Sequence, residues 1–198
     1  MQDRGNIQFC GLGGQGILLA SEFTAYVLLA AGFDVKKSEV HGMAQRGGLV
    51  EAHLRYNKEK VYSPLIEAGT VDIQLAFEPI EAVRYLPFLH KKSIVIVNTH
   101  RIPPPAVATG KMEYPDDCLD QLSKRGITVI SVDAFQLAKN IGNFRTANMV
   151  LVGALSTFLP VNEGVFTEEM RKKLPAKILA VNLKAFAEGR RIPGIKND

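Results

Sequence analysis

Tryptophan is absent from the 198 residues, and cysteine occurs only twice, as Cys10 and Cys118. Two cysteines so far apart form no metal-binding spacing and no disulfide framework, and they read as buried or incidental thiols of a reducing compartment. The histidines lack metal spacing too: His53 in an alternating segment reads as structural or exposed, and His90 and His100 as surface residues. No apolar run is long enough to span a bilayer. The longest, residues 17–31, contains Glu22 and falls short of the roughly 20 residues required. The opening "MQDRGN" lacks the charged-then-apolar order of a secretory signal. The expected location is the cytoplasm, with no membrane association.

Strong charge of one sign is missing as well. The net charge is +4, and the 46% hydrophobic and 22% charged residues are ordinary for a globular chain. The positive excess collects near the C-terminus, at Arg171, Lys172, Lys173, Lys177, Lys184, Arg190, Arg191 and Lys196. Without interleaved aromatics this reads as a solvated helix face rather than a nucleic-acid track. No Ser-His-Asp or Cys-His set can be argued from the spacing.

Glycine is plentiful where it matters. In "IQFCGLGGQG", residues 7–16, a short apolar strand runs into six residues of which four are glycine. Gly11, Gly13 and Gly16 satisfy G-x-G-x-x-G after a strand and at a helix start, with Gly14 and Gln15 between them. Such glycines permit a tight turn, close ligand approach and close helix–strand packing. The helix N-terminus adds unpaired N–H groups and a positive dipole end for an anion. A P-loop is excluded, because Ile17 and Leu18 stand where Lys and Ser or Thr are required. A dinucleotide site wants an acidic residue about 20 positions on; the candidate is Glu39. Three readings stay open: a nicotinamide or flavin site, another anionic ligand, or close packing at a subunit boundary.

Residues 17–31 then read as a helix stopped at Gly32, buried on most sides, and "FDVKKSEV" as a second strand. This is the βαβ order of a parallel sheet. "LVEAHLRY" alternates, and with "NKEK" and "VYS" it suggests a hairpin and an antiparallel edge. Residues 71–78 read as a buried strand, followed by a helix opened by Pro79 and running to residue 89. "SIVIVN" is the clearest central strand, and "THRIPPPAVATG" an extended connection. A helix to Gly126, a buried strand over 127–133, and a short helix capped by Asp133 come next. "TANMVLVGALSTFLP" reads as a helix apolar on every side. A helical C-terminal segment, 165–198, has Thr167 as its candidate N-cap. The expected fold is one three-layer α/β/α domain over residues 1–198. Its sheet is mostly parallel and Rossmann-like, with a hairpin or antiparallel edge.

The second loop, "SEVHGMAQRGG", is the more unusual stretch. It displays His41, Gln45 and Arg46 on pliable backbone between Gly42, Gly47 and Gly48. In an α/β sheet both loops would lie at the carboxyl ends of adjacent strands, where ligands bind.

Taken together, "GLGGQGILLASEFTAYVLLAAG", "SEVHGMAQRGGLVEAHLR" and "NMVLVGAL" resemble the gamma-type domain of the 2-oxoacid:ferredoxin oxidoreductases, and within that family the small subunits of the indolepyruvate type. The likeness covers residues 7–160. It implies a partner-dependent enzyme that oxidatively decarboxylates an arylpyruvate to the acyl-CoA. Thiamine diphosphate with Mg and iron–sulfur clusters would sit in a large alpha subunit, coenzyme A would be co-substrate, and ferredoxin would receive the electrons. The chain itself would hold no cofactor. A cluster of the usual kind takes four cysteines, and no Gly-Asp-Gly of the thiamine diphosphate motif occurs. Gly11, Gly13, Gly14, Gln15 and Gly16, with His41, Gln45, Arg46, Gly47 and Gly48, would form a ridge toward the alpha subunit. Arg46 is the side chain suited to a carboxylate or phosphate. The alternative is a stand-alone NAD(P)- or flavin-dependent Rossmann oxidoreductase using the glycine loop and Glu39.

Overall fold

A computed structural model describes residues 3–41, 48–103 and 105–192. Among them one mixed sheet is built from β1 (Arg4–Leu12), β2 (Asp34–His41), β3 (Leu49–Asn57), β4 (Val71–Ala76), β5 (Leu89–Asn98) and β6 (Thr128–Val132). Their order is β2-β3-β1-β4-β5-β6. β1, β4, β5 and β6 run parallel, and β3 is antiparallel to both of its neighbours. The α/β class and the antiparallel edge agree with the sequence. The location of the hairpin does not. β2 pairs antiparallel with β3, the next strand in sequence, and residues 58–70 contain no strand. That coil is held to the sheet by Arg55, whose guanidinium donates to Asn6 Oδ1 (3.0 Å) and to the carbonyls of Ser63 (3.1 Å) and Leu65 (3.2 Å). Consequently β1 and β2 are not adjacent, because β3 lies between them. The charged residues of β2 suit its place at the edge, where they discourage pairing with another chain.

Helix α1 (Ile17–Ala30) lies on one face, closed by the Gly32 and Phe33 N–H groups bonding the Leu29 and Leu28 carbonyls (3.0 and 3.1 Å). Its burial is one-sided, since Leu19, Glu22 and Leu29 face out. α2 (Pro79–Arg84) packs on the opposite face. It is shorter than its sequence suggests, because Pro87 cannot sit inside a helix; a 3₁₀ turn, Leu86–Phe88, leads straight into β5. The proline-rich connection is not wholly extended. It contains α3 (Pro105–Ala108), with proline tolerated at the first helical position. α4 (Cys118–Lys124) precedes β6, which is an edge strand exposing Thr128 and Ser131 rather than a fully buried one. α5 (Ala134–Ile141) begins at Asp133, whose carboxylate accepts from the Gln136 N–H at 3.0 Å, as expected.

α6 (Ala147–Ser156) is buried on every side, with α8 (Ala176–Arg190) laid across it. α7 (Glu163–Lys173) starts a turn before the expected cap. Asn162 is its N-cap, and Thr167 lies inside it, donating to the Gly164 carbonyl at 3.0 Å. Phe166, Met170, Ala185 and Phe186 are buried with β1, α1 and α6 in the larger core, and the Phe166 and Phe186 rings stack at 5.2 Å. Several of the basic residues there are paired within the chain. Arg190 donates to Ser156 Oγ (2.8 Å) and meets Glu163 (3.2 Å), and Lys172 meets Glu168 and Glu169.

The α6–α8 contact rests on two glycines. A Cβ at Gly153 would collide with the Phe186 carbonyl oxygen, and one at Gly189 with the Val150 carbonyl oxygen. Backbone meets backbone here, so neither neighbour can rotate away. Gly153→Ala and Gly189→Ala should each destabilise the chain by about 1–3 kcal/mol or more, measured by denaturant unfolding. Gly164→Ala, in open space on α7, should be neutral or stabilise by about 0.4–1 kcal/mol. Cys10 and Cys118 are both buried. Burial, and then the carboxylates of Glu81 and Glu51, push the Cys10 thiol well up; burial also raises Cys118. Neither thiol should react with a chromogenic disulfide reagent until the chain is unfolded.

Candidate functional site

The parallel strands β1 and β4 mark the point where connections diverge. From β1 the chain passes to α1 on one face, and from β4 to α2 on the other. A crevice opens beyond the carboxyl ends of such strands, and here the glycine loop forms its rim. β1 buries Ile7 and Phe9 on one face and Gln8 and Cys10 on the other. At Gly11 the alternation must stop, because a Cβ would lie 2.7 Å from Gln15 Oε1 and 2.8 Å from Phe77 Cβ. Gly16 is the N-cap of α1, at φ 81°, and a Cβ there would sit 2.8 Å from Asn148 Nδ2. Both left-handed backbone and contact therefore exclude a side chain at Gly16.

Gln15 holds the loop in shape. Its Oε1 accepts the Leu12 N–H (2.7 Å), and its Nε2 donates to the Phe77 carbonyl (2.8 Å). The same carbonyl accepts from Asn98 Nδ2 at 3.3 Å, while Asn98 Oδ1 accepts the N–H groups of Ala134 (3.1 Å) and His100 (3.4 Å). The two glycine-bearing segments are joined directly by the Gly13 N–H donating to the Gly48 carbonyl at 2.8 Å. Antiparallel pairing brings this about, since Leu12 stands opposite Leu49. Gln45, Arg46 and Gly47, and the side chain of His41, lie outside the described residues.

The crevice has a volume of about 590 Å³. One side is the glycine loop with the first turn of α1, which no side chain caps. The other is aromatic. The rings of His100 and Phe135 stack at 4.1 Å and 11°, and Phe144 tilts against Phe135 at 5.9 Å. Arg145 and Asn148 complete it at the start of α6, where Asn148 Oδ1 accepts the Met149 N–H at 2.9 Å. No carboxylate is among the described lining residues. The α1 N-terminus and a guanidinium, with no acid among the described lining residues, favour an anion. The stacked rings favour a flat apolar group.

His100, read from sequence as a surface residue, is instead part of this wall. Phe135, Phe144, Arg145 and Asn148 were not foreseen at all. The signal available was "NFRTAN", which sets an aromatic and an arginine at the mouth of an apolar helix. His53 is structural: its Nδ1 accepts the Ile66 N–H (3.0 Å), leaving Nε2 to donate to Glu51 (2.7 Å). His90 is half-buried, its Nδ1 accepting the Lys92 N–H at 3.1 Å. Glu39, the candidate ribose partner, pairs with Lys37 on the edge strand β2, two strands from β1. It does not line the crevice. Among the described residues no group of three His, Cys, Asp or Glu is placed to hold a metal, and no helix is long and apolar enough to cross a membrane.

A family model described as pyruvate ferredoxin/flavodoxin oxidoreductase matches residues 6–192. Indolepyruvate oxidoreductase subunit IorB of Archaeoglobus fulgidus is 41% identical over 188 residues, covering 93% of this chain and 92% of that one. A pyruvate oxidoreductase subunit of Thermotoga maritima superimposes with TM-score 0.72 at 21% identity, over 95% of this chain and 96% of that chain. The 2-oxoglutarate:ferredoxin oxidoreductase of Magnetococcus marinus, with 2-oxoglutarate, coenzyme A and succinyl-CoA bound, does so with TM-score 0.76 at 23% identity. That match takes in 97% of this chain and 31% of the other, so the chain spans about a third of it. The structural likenesses concern the fold alone, but the family match extends from β1 to the end of α8: the chain belongs to the pyruvate ferredoxin/flavodoxin oxidoreductase family, as a gamma-type domain of the 2-oxoacid:ferredoxin oxidoreductases.

Proposed function

We propose that the chain is the small, cofactor-free subunit of a cytoplasmic 2-oxoacid:ferredoxin oxidoreductase that converts arylpyruvates, indolepyruvate among them, to aryl-acetyl-CoA. The observation that carries this reading is a crevice that sets Arg145 and the uncapped α1 N-terminus opposite the stacked His100 and Phe135 rings, with no hydroxyl, thiol, amine or carboxylate side chain among its described lining residues. The IorB relative, matched over nearly the whole of both chains, supports the indolepyruvate assignment.

Thiamine diphosphate with Mg and the iron–sulfur clusters do not fit this chain. Two buried cysteines cannot provide four thiolates, and the sequence has no Gly-Asp-Gly. They belong to a large alpha subunit, where they supply decarboxylation and electron transfer to ferredoxin. What this chain contributes is placement. The α1 N-terminus and Arg145 hold an anionic part of coenzyme A, and the His100–Phe135 face packs against a flat part of it. Residues 11–16, with Gly48 bonded beside Gly13, form the ridge toward the alpha subunit. Exposed apolar side chains at the same end of the molecule, Leu19, Val40, Leu49 and Phe144, suit burial in such an interface.

Co-expression with the large subunit should yield a complex showing arylpyruvate- and coenzyme A-dependent viologen reduction, while the purified small chain alone shows none. Oxidation of a substrate by the lone chain with added NAD or flavin would overturn the reading. Arg145→Ala should raise the KM for coenzyme A about tenfold or more, the size expected for a hydrogen bond to a charged group. Arg46→Ala should impair activity or assembly of the complex while leaving the melting temperature of the isolated chain unchanged.

A further inference from the structure

Glu78, immediately before α2, is 1% exposed. Its Oε2 accepts the N–H groups of Ile80 (2.6 Å) and Glu81 (3.3 Å), capping that helix. Glutamate is an unusual choice for this task, since Ser, Thr, Asp and Asn reach the first-turn N–H groups with shorter side chains. The longer side chain is explained by what the second oxygen does. Oε1 accepts the Ile102 N–H at 3.4 Å and the Tyr114 hydroxyl. Both donors belong to the connection between β5 and α4, the segment that carries His100 and Ile102 into the crevice wall. Arg101 reinforces the fastening, its guanidinium lying 4.6 Å from the Tyr114 ring centroid while pairing with Asp116.

A buried carboxylate is costly unless hydrogen-bonded, and this one receives four donors from two segments, the first turn of α2 and the connection that follows β5. Neither Glu78 nor Tyr114 lines the crevice. Any effect of Tyr114 on a ligand there runs through the backbone between residues 99 and 103, while Glu78 also adjoins the lining residue Phe77. Two residues before the Ile102 N–H, the His100 ring lies parallel to Phe135. The height of that ring above the glycine loop is therefore set at one end by Asn98 and at the other by Glu78.

We propose that Glu78 is a positioning residue for the crevice. By holding Tyr114 and Ile102 it fixes the His100 wall, and so governs how tightly coenzyme A is held rather than how fast the bound complex reacts. This rests on the reading of the crevice as the coenzyme A contact.

The discriminating variant is Tyr114→Phe, which removes one donor to Glu78 and leaves the α2 cap untouched. In the assembled complex it should raise the KM for coenzyme A about threefold to tenfold, in the range of a typical net hydrogen bond because the loss reaches the ligand only through the backbone, with kcat within about twofold of the parent. A lower melting temperature with unchanged KM would mean that the contact only stabilises the fold, and the proposal would be lost. Hydrogen–deuterium exchange of the isolated chain is independent of any ligand. The Ile102 amide should be protected in the parent and exchange about tenfold faster in Tyr114→Phe. Equal exchange rates would also overturn the proposal. If the parent complex turns over without coenzyme A dependence, the reading of the crevice falls, while the exchange comparison still decides whether Glu78 fastens the wall.

Discussion

Four glycines in six residues leave a loop almost nothing with which to hold its own shape, so the crevice depends on one amide, that of Gln15. It spans from the Leu12 N–H to the Phe77 carbonyl and thereby locks the end of β1 to the end of β4. Gln15 and its bonds are half-buried, so losing the bridge costs about 1 kcal/mol for each hydrogen bond broken. Because Asn98 donates to the same carbonyl and in turn holds Ala134 and His100, the rim, the floor and the aromatic wall all converge on one oxygen. Gln15 is therefore committed to the loop's architecture. What the loop can offer outward is backbone: the region around Gly14, where a Cβ would meet nothing within 4 Å, and the uncapped first turn of α1.

The insertion of β3 between β1 and β2 has two consequences for the same site. It brings Gly48 beside Gly13, so that segments more than thirty residues apart in sequence share one hydrogen bond. It also moves Glu39 away from the position that an acidic residue takes in a dinucleotide site, where the second strand lies directly against the first. The alternation of residues 49–57 showed a half-buried strand, but period two does not name the partner strand. The charges at Lys36, Lys37 and Glu39 carried the missing information, as the mark of an edge. The first strand, the glycine turn, α1 and the β-branched strand β5 were legible because local composition alone decides them.

Less of the site could be read, for a different reason. His100, Phe135, Phe144 and Arg145 come from one connection, the first turn of α5 and a 3₁₀ turn, and no period relates them. Only the sheet order places them together. The α8 contact stands between these cases. Asn182, Ala185, Phe186 and Gly189 recur at helical spacing on one face, and a small residue at the end of such a stripe is the sign of close approach to another helix. Attention to the basic residues of the same segment obscured it. Their side chains occupy the other faces, where Arg190 and Arg191 reach Glu163 and Glu188.

The chemistry available in the crevice limits what the chain can do. Dipoles, a guanidinium and an aromatic face can bind and orient, and the described lining carries no hydroxyl, thiol, amine or carboxylate side chain. Their effect is also weak while the crevice is open to water, where a charge–dipole contact is screened. Leu19 is 65% exposed and Phe144 54% exposed, each at the crevice margin. Covering those apolar side chains with a partner surface would recover hydrophobic free energy of about 25 cal/mol per Å² buried. The same step would expel water from around Arg145 and the α1 N-terminus and strengthen their hold on an anion. Assembly and ligand binding would then be coupled through the same few residues, as the proposed role beside a larger subunit requires.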